Sequence, residues 1–237
     1  MILGALYLIL DFLAISFPLL RSWDKRLNYY QKWYALFPAI AIVDVIYIIW
    51  DVLFTKAGIW SFNPRYLVGW DIINLPVEEW LFFIFIPFSC IFIYEATLFY
   101  IKKRPLKKIA RPLFAVMGVF LLIIGLLNLD KTYTSLTFIL TACYLFVHLL
   151  FFKRDFLDRF IFGYLFSLIP FILFNGILTG SFIEDQIVWY NNDENLGIRL
   201  GTIPIEDSVY LLLYLLSITT IYEAILKRFP LIGIDNN

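Results

Sequence analysis

The chain has little of what soluble catalysts rely on. Of its 237 residues only 16% are charged, two are cysteine and one is histidine. Cys90 and Cys143 both lie inside apolar runs, so neither a disulfide framework nor a zinc site is expected, and each reads as a small core residue. There is no GxGxxG fingerprint, phosphate loop, Asp-rich diphosphate motif or metal-ligand cluster. Cofactor-driven redox chemistry therefore has no footing, and neither a cofactor nor a metal is expected. Acidic and basic residues balance at 19 each, which removes any overall basic field for nucleic acid. No lysine interrupts the last apolar run before its end, which argues against a retinal Schiff base.

What the chain does have is hydrocarbon. Hydrophobic residues make up 62%, aromatics 20%, and mean hydropathy is +0.82, far from the roughly 45–50% apolar and 25% charged composition of soluble domains. The expected fold is all-α, a polytopic membrane bundle of about seven transmembrane helices. Runs long enough to cross about 30 Å of hydrocarbon fall near 2–20, 33–54, 76–101, 112–128, 132–152, 160–178 and 204–226. The first could pass for a signal sequence, but Asp11 interrupts it and no small-x-small site precedes Arg21, so it reads as a retained span.

The basic residues are sorted in space. Arg21, Lys25, Arg26 and Lys32 follow span one; Lys102, Lys103, Arg104, Lys107, Lys108 and Arg111 follow span three. Lys153, Arg154 and Arg159 follow span five, and Lys227 and Arg228 follow span seven. With seven crossings, 15 of the 19 cations share one side, leaving Lys56, Arg65, Lys131 and Arg199 on the other. That asymmetry favours an external N-terminus and a cytoplasmic C-terminus. The long external segments 55–75 and 179–203 carry Trp60, Phe62, Tyr66 and Trp70, and Trp189 and Tyr190. They suit either an aromatic belt at the headgroups or a lid across the bundle mouth.

The chain also repeats itself. Asn74-Leu75-Pro76-Val77-Glu78-Glu79 and Thr202-Ile203-Pro204-Ile205-Glu206-Asp207 lie 128 residues apart, and each opens an apolar helix closing in Tyr-Glu-Ala at 94–96 and 222–224. Asp51 and Thr55 match Asn175 and Thr179, Trp60 matches Trp189, and Leu19-Leu20 matches Leu149-Leu150. Two parallel three-helix repeats follow, 1–101 and 132–237, joined by a basic linker and connecting helix at 102–131. Parallel repeats are related by an axis along the membrane normal and place their sites at the shared interface.

A carboxylate at mid-bilayer costs on the order of 3 kcal/mol, so such residues usually meet a partner or a cavity. Adjacent acids on a helix point about 100° apart; one member of each pair can face a cavity while the other meets a neighbouring span. Burial favours a neutral acid, which can hold a proton and deliver it while an ionised partner accepts one. The same pattern also fits helix capping by Asn74 or Thr202, with an acid on the first turn meeting the helix dipole. Glu95 and Glu223, near the far end, suit ion pairs with Lys102 or Lys103 and with Lys227. Asp44 and Asp51 share a face of span two, with Asn175 in the place of Asp51 in the second unit, as polar support by cavity lining or interhelical bonding. His148 fits a proton relay or a packed hydrogen bond.

These motifs, the Tyr-Glu-Ala endings and the two three-span units resemble the small membrane-embedded lycopene cyclases, in the form that fuses two short subunits into one chain. The resemblance implies cyclisation of the linear ends of a carotene, lycopene giving γ-carotene and then β-carotene, by proton-initiated chemistry without net oxidation. It makes Glu78 and Glu206 the candidate acid/base pair, with Glu79 and Asp207 orienting them or taking the other proton. Trp80, Phe82, Phe83 and Tyr210 would offer faces to a cation. The implied partners are a hydrophobic carotenoid and membrane lipid, with room for contact with other carotenoid-pathway enzymes, and the expected location is a prokaryotic cell membrane. A proton-coupled transporter with three-plus-one-plus-three helices is the alternative.

Overall fold

A computed structural model describes residues 3–152 and 156–230. Lys153 and Arg154 of the basic tally, and the chain ends 1–2 and 231–237 assigned to the two repeats, lie outside the described residues. Seven helices form the body: α1 Leu6–Arg21, α2 Trp33–Ala57, α3 Val77–Tyr100, α4 Ala110–Leu127, α5 Thr132–Phe151, α6 Leu157–Leu178 and α7 Ile205–Arg228. Six are long and apolar enough to cross a bilayer. The first, α1, has 16 residues and is prolonged by a 3-10 turn at Leu3–Ala5. Prolines 18, 38, 87 and 170 sit inside helices, as is common where neighbouring spans satisfy the freed backbone groups.

The two repeats interlock. Within each, the first helix packs on the third, α1 on α3 and α5 on α7; the middle helices cross over, α2 onto α7 and α6 onto α3. The connecting helix α4 lies against α5. Glycines permit two of these approaches: a Cβ on Gly163 would lie 3.2 Å from the Tyr94 backbone on α3, and one on Gly125 2.7 Å from Ile139 on α5. Small residues at such crossings let helix backbones meet closely in lipid.

Strands β1 (Trp60–Phe62) and β4 (Val188–Tyr190), one from each repeat, pair antiparallel across the end of the bundle, with Ser61 opposite Trp189. Asn63 and Asn191 follow them, each accepting the N–H two residues on, and fix a spacing of 128. By that register Trp189 corresponds to Ser61, one position from the expected Trp60. Likewise Tyr7 and Tyr133, 126 apart, hold equivalent bonds described below, which sets the first helices one turn away from the Leu19-Leu20 and Leu149-Leu150 match.

Segments 55–75 and 179–203 then each make a two-residue hairpin: β2 (Asp71–Ile72) with β3 (Leu75–Pro76), and β5 (Arg199–Leu200) with β6 (Ile203–Pro204). Ile73 takes φ 66° in the first and Gly201 the same φ in the second, a conformation that suits glycine and strains a β-branched residue. Each hairpin delivers a proline as the residue preceding the helix, so the acid pairs fall on the first turns of α3 and α7. The capping expected of Asn74 and Thr202 does not occur. Asn74 Nδ2 donates to the Val52 carbonyl and Thr202 Oγ1 to that of Gly176, so both residues tie the hairpins to the middle helices instead.

At the opposite end the Tyr-Glu-Ala sequences lock the repeats together. Tyr222 donates to Glu95 (2.6 Å) and Tyr94 to Glu223. Glu95 also pairs with Lys32. The pairings expected with Lys102, Lys103 and Lys227 give way to this exchange because α3 and α7 are neighbours and each helix turns its glutamate toward the other's tyrosine. His148 is buried and bonded to Thr220 at 2.8 Å, with its ring against Tyr144, Phe152 and Phe156.

Candidate active site

Under the β1–β4 pair lies a narrow cavity of about 70 Å³, lined from both repeats and including Glu79, Asp51, Asp207 and Asn175. Because the two acids of each pair diverge around the helix, only one reaches it. Glu78 turns away and accepts the Val68 backbone N–H at 2.7 Å; Glu206 accepts that of Leu196 at 2.8 Å and the Thr134 hydroxyl at 2.6 Å. Each anchors the segment that precedes its own hairpin. The residues expected to be acid and base thus hold the roof, and Glu79 and Asp207 occupy the cavity. Glu78→Gln retains an acceptor oxygen for Val68, so activity in membranes is expected to fall by no more than about tenfold, the scale of a weakened charge-assisted hydrogen bond.

The two cavity carboxyls are equipped differently. Glu79 accepts the Tyr7 hydroxyl at 2.6 Å and shares the cavity wall with Asp51. Asp51 is fixed in turn by Trp60 Nε1 at 2.5 Å and by Thr55. Two carboxyls sharing one site away from water disfavour double ionisation. Asp207 instead receives three donors: Tyr133 at 2.6 Å, Asn175 Nδ2 at 2.8 Å and Tyr190 at 3.0 Å. Asn175 replaces the carboxyl of Asp51 with an amide donor, so the second half surrounds one carboxylate with donors where the first half sets two carboxyls in the same cavity. Burial, and then the Asp207 carboxylate, push the Tyr190 phenol above its ordinary range, keeping it a donor.

Aromatic rings form the remaining walls. Phe82, Phe83 and Tyr210 line the cavity, joined by Tyr7, Trp60, Tyr133, Tyr190 and Tyr214. Trp80 lies outside it, its Nε1 on the Ile72 carbonyl at 3.3 Å. Asp44 sits deeper, where the Tyr214 hydroxyl bridges it (2.5 Å) to the Phe83 carbonyl (2.8 Å). Glu95 and Glu223 are at the far end. The lid and belt readings divide: Trp60 and Tyr190 roof the cavity, whereas Trp70 is 75% exposed. Among the described residues no cluster of His, Cys, Asp and Glu is arranged to hold a metal ion.

A family model described as lycopene cyclase matches residues 4–97 and 130–225. The chain belongs to the lycopene cyclase family. The two matched segments cover the two three-helix halves and omit α4, and Glu79 lies within one segment and Asp207 within the other. Comparison with curated proteins and with solved structures gave no match. For a lycopene cyclase family member, a hydrophobic carotenoid substrate and a membrane setting follow at the level of the family. Sequence reasoning missed the tyrosine donors Tyr7 and Tyr133, although a tyrosine as the second residue of the first helix of each repeat was available as the signal.

Proposed function

We propose that this protein closes rings on the acyclic ends of lycopene, giving γ-carotene and then β-carotene without net oxidation, with Glu79 and Asp51 as the acid and Asp207 as the base. The roles of the two acids in each pair are thus exchanged relative to the sequence expectation. The observation carrying this reading is the unequal provision of two carboxyl sites in one aromatic cavity: two carboxyls, Glu79 and Asp51, on one side against a single carboxylate, Asp207, held by three donors.

Glu79 delivers the shared proton to the CH carbon of the terminal alkene, leaving a tertiary cation on the neighbouring carbon. The next alkene inward attacks that carbon, forming the ring bond and moving the positive charge onto the ring. Asp207 then removes a ring proton, and the electron pair of that C–H bond becomes the new double bond. One proton has entered and one has left, and the site resets when Asp207 returns a proton to the Asp51–Glu79 pair. The Tyr190 phenol, bonded to Asp207 at 3.0 Å and lining the same cavity as Glu79 and Asp51, is the relay assigned to that return. Faces of Trp60, Phe83, Tyr210 and Tyr214 can each stabilise the cation by up to about 2 kcal/mol when water is excluded. Fixed dipoles around Asp207 add stabilisation without reorganisation at the moment of reaction.

The transporter alternative shares the helix plan but needs a polar route through the bundle. Here the cavity leads onward between apolar side chains, and the Tyr94, Tyr222, Glu95 and Glu223 interlock occupies the opposite end. Expression in a lycopene-accumulating bacterium, with pigments separated by chromatography, is expected to convert lycopene to mono- and dicyclic carotenes. Unchanged lycopene beside protein demonstrably inserted in the membrane overturns the proposal. The basic residues at the end opposite the cavity support an external N-terminus, with the acid site toward the outer face.

A further inference from the structure

The cavity holding Glu79 and Asp207 does not stop at the acids. It shares Phe82, Ile86, Phe171 and Leu211 with a second, almost wholly apolar space between α3 and α6, where Ala14 of α1 also lies. That space shares Ile93 and Pro170 with a third, wider one of about 450 Å³ between α1, α3 and α6. The walls of the third include Phe17 and Ile169, which are 64% and 66% exposed on the outer surface of the bundle, so this end opens toward lipid. At 1.5 Å per residue, the run along α3 from Glu79 to Thr97 covers about 27 Å, close to the roughly 30 Å thickness of the hydrocarbon core.

The pseudo-symmetric path between α2 and α7 is closed. By the spacings of 124 for the middle helices and 128 for the third helices, Phe171 and Phe174 correspond to Tyr47 and Trp50, and Phe82 and Ile86 to Tyr210 and Tyr214. Those four larger rings interlock: Tyr47 meets Tyr214 at 4.5 Å and Tyr210 at 5.1 Å between centroids, and Trp50 meets Tyr210 at 5.3 Å. The Tyr214 hydroxyl is further pinned to Asp44. Pseudo-symmetric helices thus carry one open groove and one filled one.

We infer that the groove between α1, α3 and α6 is the binding site for the extended polyene arm of the carotene whose end group sits between Glu79 and Asp207, and that only one end of a substrate is seated at a time. The inference rests on the cyclase reading and adds to it a direction and a stoichiometry. The occupant is specified by continuity: a groove that is apolar along its length, open to lipid at one end and closed by the acid site at the other fits a rigid hydrocarbon chain with one reactive tip. Two-ended cyclisation then requires the monocyclic product to leave and return reversed.

Membranes containing the protein are supplied either with lycopene or with a shortened acyclic analogue that bears the same end group on an arm too short to reach Ile93. Ile93→Trp blocks the junction of the second and third spaces, and Ala96→Phe narrows the lipid-facing part, where a ring is readily accommodated. In both variants the ratio of lycopene turnover to analogue turnover is expected to fall about tenfold or more, the scale of overpacking a bound chain. A ratio equal to wild type in either variant overturns the groove. A wild-type protein that leaves both substrates unchanged overturns instead the cyclase reading on which the groove depends.

Discussion

Replacing Asp207 by Asn is expected to lower ring formation by about 10²–10⁴-fold, the range assigned to a positioned general base. The change is nearly isosteric, but it removes the charge that Tyr133, Asn175 and Tyr190 surround. An amide can accept on one atom only, so its NH₂ confronts at least one of those donors, a conflict costing about 1–3 kcal/mol. Membrane abundance is therefore measured beside activity. Deuterium separates the base from a general loss of folding. In D₂O the variant still has Glu79 and Asp51 to deuterate the terminal alkene, and the CHD carbon beside the cation reverts to the alkene by losing its hydrogen in preference to its deuterium. Recovered lycopene should carry label at its terminal CH carbons while cyclic products are scarce. Unlabelled lycopene together with wild-type ring formation would remove Asp207 from the role of base.

Much of this arrangement was legible beforehand, for identifiable reasons. Apolar runs at membrane length and the sorting of lysine and arginine specify the helices, because lipid tolerates neither exposed backbone nor unpaired charge. The recurrence of Pro-x-Glu-Glu/Asp located the right turns of α3 and α7, and the divergence of adjacent acids required that their members part company. Which member meets the cavity was not legible. That depends on the phase at which the hairpins 71–76 and 199–204 deliver each helix, and on the Val68 and Leu196 N–H groups that capture Glu78 and Glu206. The glutamates of Tyr-Glu-Ala were read against lysines near in sequence, whereas the crossing of the repeats brings α3 beside α7 and supplies tyrosines from 127 to 129 residues away. Tyr7 and Tyr133 were not legible because aromatic residues are abundant in the chain, and their equivalent acceptors, Glu79 and Asp207, are what distinguishes them.

Glu79→Gln is expected to reduce cyclisation by a comparable 10²–10⁴-fold, about the worth of a positioned general acid, with a different isotopic outcome. Without a transferable proton at the alkene no cation forms, so lycopene recovered from D₂O stays unlabelled. The glutamine can still accept from Tyr7 and donate to Asp51, which keeps α1, α2 and α3 joined. Asp51→Asn tests the pair from its other side. It rebuilds in the first repeat the arrangement of the second, an amide donating to a carboxylate as Asn175 does to Asp207. Two anion cradles would then face one cavity with no shared proton between them. Activity should fall in Asp51→Asn as well, even though Glu79 remains, and Asp51→Glu should restore part of it by returning a second carboxyl. Full activity in Asp51→Asn would mean that Glu79 holds its proton unaided, and the difference between Asp51 and Asn175 would no longer account for one half acting as acid and the other as base.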